Sequence, residues 1–329
     1  MGICSSKINE KTDPLNSQLS QIKESEFQYI DGRRFHNLKN VAYPLPNDDD
    51  EIDRLHFRHF LNRNIWKSNF SAPINHILTN PETKILDVGC GAASWSFDMA
   101  TTYPLVNIIG IDISRQQATH IKPKNFTFFK ANVLEGIPFN DNTFDYIFQR
   151  NLMRAYTEQD WPHVVNELVR ILKPGGYLEL MERSMLYNMG PATKRLCDAE
   201  IAAMNLAGTD PFACQKLEKY VQNQGQLENI KKEIRECHHG AKSNQIELNL
   251  SRTAINISVT LYAAWKPRLA TIMQISSEEY DELANISEKE LFEYDSYIDI
   301  VRVYARKKMD DNINETVCQS STMANNFTT

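Results

Sequence analysis

Asp87, Gly89 and Gly91 stand at alternate positions in Ile85-Leu-Asp-Val-Gly-Cys-Gly-Ala-Ala-Ser94, directly after an apolar run. A strand that ends in a glycine turn and leads into a helix offers a nucleotide-like ligand bare backbone and a helix N-terminus. The acid narrows the chemistry. Asp87 stands where the pyrophosphate of a dinucleotide would come close, so a ligand without phosphates and with positive charge suits it better. Capping of the following helix is the plainer role for the same carboxylate.

Polar side chains recur where further apolar runs end. Asp112 closes Ile-Ile-Gly-Ile-Asp, where an acid accepts hydrogen bonds from both hydroxyls of a ribose, unless it is only a turn residue. Asn132-Val133 follows Phe126–Ala131 and pairs an amide with an apolar neighbour, as an adenine ring needs. Gln149 ends Phe144–Gln149. S-adenosylmethionine, with its sulfonium, ammonium and adenosyl groups and no phosphate, meets these demands. A G-x-G-x-x-G dinucleotide fingerprint is only approached, because Ser94 occupies its last position. That and Asp87 count against a nicotinamide-dependent oxidoreductase.

These residues need a frame of alternating strands and helices. Strands are expected at Lys84–Val88, Asn107–Asp112, Phe126–Ala131, Phe144–Gln149 and Tyr177–Met181, the last after a Pro174-Gly175-Gly176 turn. Helices are expected at Trp95–Thr102 and Trp161–Leu172 between them. Such alternation predicts a doubly wound, mostly parallel sheet with its ligand at the carboxyl ends of the strands. Ahead of it, Asn47 or Asp48 caps a helix over Glu51–Lys67, and a short helix covers Pro73–Leu78. Beyond it, helices are expected at Ala192–Asn205, Pro211–Gly225, Ser251–Gln274 and Glu278–Tyr294, with strands at Leu227–Cys237 and Tyr297–Lys307.

The domain reading is a tether over residues 1–26, one domain over 27–307 and a polar tail over 308–329. Within the domain, the core covers 80–185 and an insertion over about 191–276 shapes the substrate pocket. Met1-Gly2-Ile3-Cys4-Ser5-Ser6-Lys7 fits the myristoylation pattern at Gly2, with Cys4 placed for a second acyl chain and peripheral membrane association. The six cysteines contain no CxxC pair and read as the reduced thiols of a cytoplasmic protein. Cys237-His238-His239 reads as a surface loop, not a metal site. A formal net charge of −6 argues against a general nucleic-acid surface. No apolar run is long enough to span a membrane.

On these motifs, over roughly residues 50–185, the chain resembles the class I S-adenosylmethionine-dependent methyltransferases. The resemblance implies their Rossmann-like fold with a seven-stranded sheet, N-terminal lid helices and a helical insertion before the last strands. It implies that Asp87-x-Gly89-x-Gly91 contacts the methionine part of the cofactor. Asp112, with Ile113 beside it, would bind the ribose; Asn132 and Val133 would flank the adenine, and Gln149 would border the transferring methyl. The segments Tyr43-Pro-Leu-Pro-Asn-Asp48, Glu51-x-x-Arg54 and Trp66 look like a fungal subgroup. That subgroup is related to trans-aconitate-type enzymes and to methyltransferase-like regulators of secondary metabolism. Ala93 and Asn132 depart from the family, where many relatives carry glycine and aspartate.

The implied reaction is methyl transfer to a small-molecule acceptor. An inactive, membrane-tethered regulatory member of the fold is the alternative. Positioning and exclusion of water carry most of such a reaction, so no nucleophile is needed. His56, His59, His163 and Glu182 are the candidate bases, and His56 and His59 share one helix face with a possible lid role. Trp95 either packs the first core helix or lines the cavity.

Overall fold

The computed structural model describes residues 27–37, 44–118, 121–240 and 244–309. Gly2, Cys4 and Tyr43 lie outside the described residues, as do the expected tether and the tail from 310 onward. A hairpin of β1 (Phe27–Ile30) and β2 (Arg33–His36) comes first, then α1 (Asp49–Trp66). The core follows as β3 (Lys84–Val88), α2 (Ser94–Thr102), β4 (Asn107–Asp112), β5 (Phe126–Lys130), β6 (Phe144–Arg150), α3 (Asp160–Ile171) and β7 (Leu172–Arg183). The remainder is α4 (Pro191–Leu206), α5 (Ala213–Asn223), β8 (Leu227–His238), α6 (Gln245–Met273), α7 (Ser277–Glu293) and β9 (Tyr297–Lys307).

Seven strands form one sheet in the order β5-β4-β3-β6-β7-β9-β8. Strands β3 to β7 pair in parallel, and β9 runs antiparallel between β7 and β8. The chain turns from one half of the sheet to the other between β3 and β6. Loops diverge there and leave a crevice at the carboxyl ends, where open α/β sheets bind ligands. The central strand shows why. Ile85, Leu86, Asp87 and Val88 are all buried, as a strand covered on both faces requires.

Local signals account for most boundaries. Asp48 caps α1 by accepting from the Glu51 N–H at 3.2 Å, and Lys67 ends the helix in the left-handed region. Ser276 and Glu279 form a capping box at α7. Helix α3 buries Trp161, Val164, Val165, Leu168 and Val169 along one stripe.

Four expectations need correction. The β1–β2 hairpin was not expected; its strands have four residues each, too few to carry a clear alternation. One N-terminal helix, α1, stands among the described residues in place of several lid helices. Pro73–Leu78 yields only a single 3₁₀ turn at Asn75–Ile77. Pro174-Gly175-Gly176 does not turn the chain into a new strand. It is a bulge inside the 12-residue β7, where the register with β6 shifts and Gly175 takes φ +79.

Two buried carboxylates tie the loops to the sheet. Glu179 on β7 accepts from the Ser71 and Ala72 N–H groups at 2.9 and 2.8 Å and from the Tyr146 hydroxyl at 3.1 Å. Arg302 on β9 faces it at 3.5 Å while lying 4.3 Å over the Trp66 ring. Glu182, farther along β7, accepts from the Leu152 N–H at 2.6 Å and the Met153 N–H at 3.3 Å. Burial pushes the Glu182 carboxyl up to about 8, against the pull of those two donors.

Glu179→Leu leaves Arg302 buried without its counter-ion, and urea denaturation should show a loss of about 3–5 kcal/mol. For Glu182 the folded pKa lies above the unfolded one, so its stabilising effect is complete in acid and fades as pH rises towards about 8. The melting temperature of Glu182→Gln, measured relative to the native chain, should therefore climb between pH 5 and 9. A difference that stays flat across that range would refute the assignment.

Candidate functional site

A cavity opens at the crevice between β3 and β6. Its walls are the loop after β3 (Val88, Gly89, Cys90, Gly91, Ala92 and Ser94) and the end of β4 (Ile111, Asp112 and Ile113). The turn after β5 adds Ala131, Asn132, Val133 and Leu134, and the end of β6 adds Arg150, Asn151 and Leu152. Leu55 and Arg58 from α1, with His36 from the hairpin, close it from the N-terminal side.

The glycine loop is built as its residue types require. Gly89 has φ +64, and a Cβ there would meet the Leu152 side chain at 2.8 Å. Gly91 has φ +52 and its N–H donates to Asp112 at 2.9 Å. Ala93 takes φ +58 as well, a conformation that costs a residue with a Cβ roughly 1–2 kcal/mol. Its methyl is fully buried in the core beneath the loop.

Asp112 lines the cavity, and its other oxygen accepts from the Ser114 N–H at 3.0 Å. Two backbone donors leave further lone pairs of the carboxylate open towards a ligand. Asn132 also lines the cavity, with its carbonyl oxygen accepting from the Leu134 N–H at 3.1 Å and its amide donating to Glu135. Ile113 and Val133 provide apolar wall beside them.

Asp87 and Gln149 stand behind the wall, not in it. Asp87 is 2% exposed and accepts from the Ser96 hydroxyl at 2.6 Å, on the first turn of α2. Burial pushes its carboxyl up to about 6, while the Arg150 guanidinium opposes that rise. Burial lowers Arg150 to about 10, and the Asp87 carboxylate is the strongest influence opposing that fall. The charge of Asp87 is thus answered inside the protein by Arg150, which does line the cavity. Gln149 accepts from the Tyr156 hydroxyl at 3.2 Å, and its amide nitrogen has no partner among the described residues.

None of the four candidate bases lines this cavity. His56 bonds the Ser94 hydroxyl through Nδ1 at 2.9 Å. His59 is 1% exposed; its Nδ1 accepts from Arg150, so its Nε2 carries the hydrogen and donates to Asp98 at 3.1 Å. His163 is exposed on α3. Glu182 faces neither solvent nor ligand, because it holds the loop after β6. Trp95 is a packing residue, stacked on Phe148 with ring centroids 4.4 Å apart. Cys237-His238-His239 is no surface loop either: Cys237 and His239 are buried at the end of β8.

Sequence reasoning missed His36, Leu55, Arg58, Arg150 and Asn151 as lining residues. Only Asn151 carried a local signal. It follows β6 directly and takes φ +58, a conformation asparagine tolerates better than most residues.

Residues 85–176 match the family model for the methyltransferase domain. Methyltransferase pytC of Aspergillus terreus is 32% identical over 224 residues, covering 65% of this chain and 66% of that protein. N-methyltransferase tcpN of Claviceps purpurea is 29% identical over 224 residues, covering 62% and 78%. The secondary metabolism regulator laeA of Coprinopsis cinerea is 29% identical over 185 residues, covering 55% and 45%. The match thus spans just under two thirds of pytC and less than half of laeA. The matched segment contains the glycine loop, Asp112, Asn132 and the Pro-Gly-Gly bulge, and over it the chain is similar to the methyltransferase domain.

Proposed function

We propose that this chain is an S-adenosylmethionine-dependent methyltransferase acting on a small-molecule acceptor. The observation that carries the reading is the crevice itself. Two glycines with positive φ bring bare backbone against a cavity that also holds the Asp112 carboxylate and the Arg150 guanidinium. An amino acid joined to a nucleoside needs that combination: a cation for its carboxylate, an acceptor for its ribose hydroxyls and an apolar slot for its base. The residues fit the group.

Asp112 would hold the ribose hydroxyls, for which its geometry leaves lone pairs open. Ile113 and Val133 would sandwich the adenine, and Asn132 would meet its edge. The backbone of Gly89 to Gly91 would lie against the methionine portion, with Arg150 taking its carboxylate. When bound, S-adenosylmethionine supplies a methyl group already activated by a positively charged sulfur. The protein then has to orient and to exclude water. Leu55 and Arg58 on α1, with His36 on β2, cover the cavity from outside and serve the second task.

Isothermal titration of the purified chain with S-adenosylhomocysteine should show saturable one-to-one binding; no heat of binding would end this reading. Asp112→Ala should weaken that binding by about 10- to 100-fold, the effect of losing hydrogen bonds to a charged group. Gly89→Val should abolish it, because a β-branched residue is strained at φ +64 and its side chain would also push Leu152 into the site. NADH should give no fluorescence change with the native chain.

A further inference from the structure

A second cavity lies beside the first, and Arg58 and Asn151 line both. Its body is apolar, made by Leu61 on α1, Leu186 after β7, Ile257 and Leu261 on α6, and Ile300 on β9. Polar groups interrupt that lining, among them Arg183, His239 and Ser258. The role proposed above uses none of these three.

The hydrogen bonds of His239 fix its tautomer. Its Nδ1 lies 2.8 Å from the Ser296 carbonyl oxygen, which can only accept, so Nδ1 carries the hydrogen. The lone pair of the neutral ring is therefore on Nε2, 2.9 Å from the Ser258 hydroxyl, which donates to it. That leaves the Ser258 oxygen free to accept from a third group in the cavity. The ring is 1% exposed, and burial holds its pKa down to about 4, so it is a free base throughout the neutral range.

Arg183 adds an independent sign of a ligand. Its Nη1 donates to the Ser184 carbonyl at 2.8 Å and its Nη2 to Glu200 at 2.9 Å. Its Nε–H is buried and has no partner among the described residues. A buried donor left unpaired costs about 1–3 kcal/mol, a cost that a ligand oxygen would remove.

We propose that this second cavity receives the methyl acceptor, an apolar-bodied molecule with an oxygen for Arg183 and an ionisable hydroxyl held by Ser258. The inference rests on the reading of the first cavity as the methyl-donor site. The acceptor's O–H bond breaks as its O–CH₃ bond forms. Its proton passes to the Ser258 oxygen while the serine's own proton moves to His239 Nε2. The electron pair of the broken C–S bond stays on the donor's sulfur, which departs as a neutral thioether. Ser258 touches the acceptor, and His239 acts through it.

The charges around the ring bear on that transfer. Arg183 on β7 and His238 on β8 oppose a positive His239, whereas Asp295 ahead of β9 and the Ser296 carbonyl favour it. From α6 the cavity receives no charged group; Glu200 on α4 and Arg58 on α1 are its other charged groups, and Asn62, Asn151 and Tyr262 its other polar ones. Arg58 and Arg183 favour the ionised, negative form of an acceptor hydroxyl.

The probe is 4-methylumbelliferone, a bicyclic phenol with a carbonyl oxygen whose phenol and phenolate forms have separate excitation bands. It is titrated into the full chain already saturated with S-adenosylhomocysteine, so that the first cavity is filled. We expect saturable binding and a bound-probe pKa lower by about one unit than in solution. Ser258→Ala and His239→Gln should each erase at least about half of that shift, with S-adenosylhomocysteine affinity within about twofold of native. Ser258→Ala removes one atom from a cavity wall and keeps the test alive should His239→Gln fail to fold. No binding of the probe to the loaded protein, or an equal shift in the native chain and Ser258→Ala, would overturn the proposal. Failure of S-adenosylhomocysteine itself to bind would instead remove the donor-site reading on which it stands.

Discussion

The Gly91 N–H donates to Asp112 across the gap between β3 and β4, and the carboxyl edge of the sheet is organised around bonds of this kind. Parallel strands end in loops that carry unpaired backbone donors, and burying those donors without acceptors would be costly. Acidic side chains at the strand ends supply the acceptors. Asp112 serves the loops after β3 and β4, Glu182 serves the loop after β6, and Glu179 anchors Ser71 and Ala72 ahead of β3. Each carboxylate fixes the shape of a loop, and together the loops leave one crevice. The cavity is what remains when these donors are satisfied.

The same requirement explains the basic residues in the interior. Arg150 answers Asp87, Arg302 answers Glu179, and Arg154 with Arg183 answers Glu200. Arg302 also presses its guanidinium on the Trp66 ring, with Arg235 5.0 Å from that ring. Helix α1 is therefore held to the far half of the sheet through its last residue. That hold brings Leu55 and Arg58 over the crevice.

Much of this was legible in the residues. Five parallel strands stand within a residue or two of their expected places, apart from the N-terminal extension of β7, because each is an apolar run bounded by turn residues. The glycine loop, Asp112, Ile113, Asn132 and Val133 were readable as cavity wall because each stands where an apolar run ends in turn residues. Asp87 misled for a physical reason. Sequence shows that an acid is present, but not which neighbour neutralises it, and Arg150 is distant in the chain. Arg58, His36 and His239 were invisible as wall residues for a related reason. Their positions depend on how α1, the hairpin and β8 pack across the sheet, and no periodicity encodes that. Ala93 was visible as a departure from the family, but its positive φ belongs to the folded backbone.

Arg58 and Asn151 line both cavities, so the two chambers share side chains in their walls. Two ligands on either side of such shared side chains cannot be thermodynamically independent. If filling one chamber fixes Arg58 in the pose the other prefers, each occupant tightens the other by the same factor. If it draws the guanidinium away, each loosens the other equally. The order in which substrates enter and products leave would then be written into one arginine side chain, and not into any moving lid.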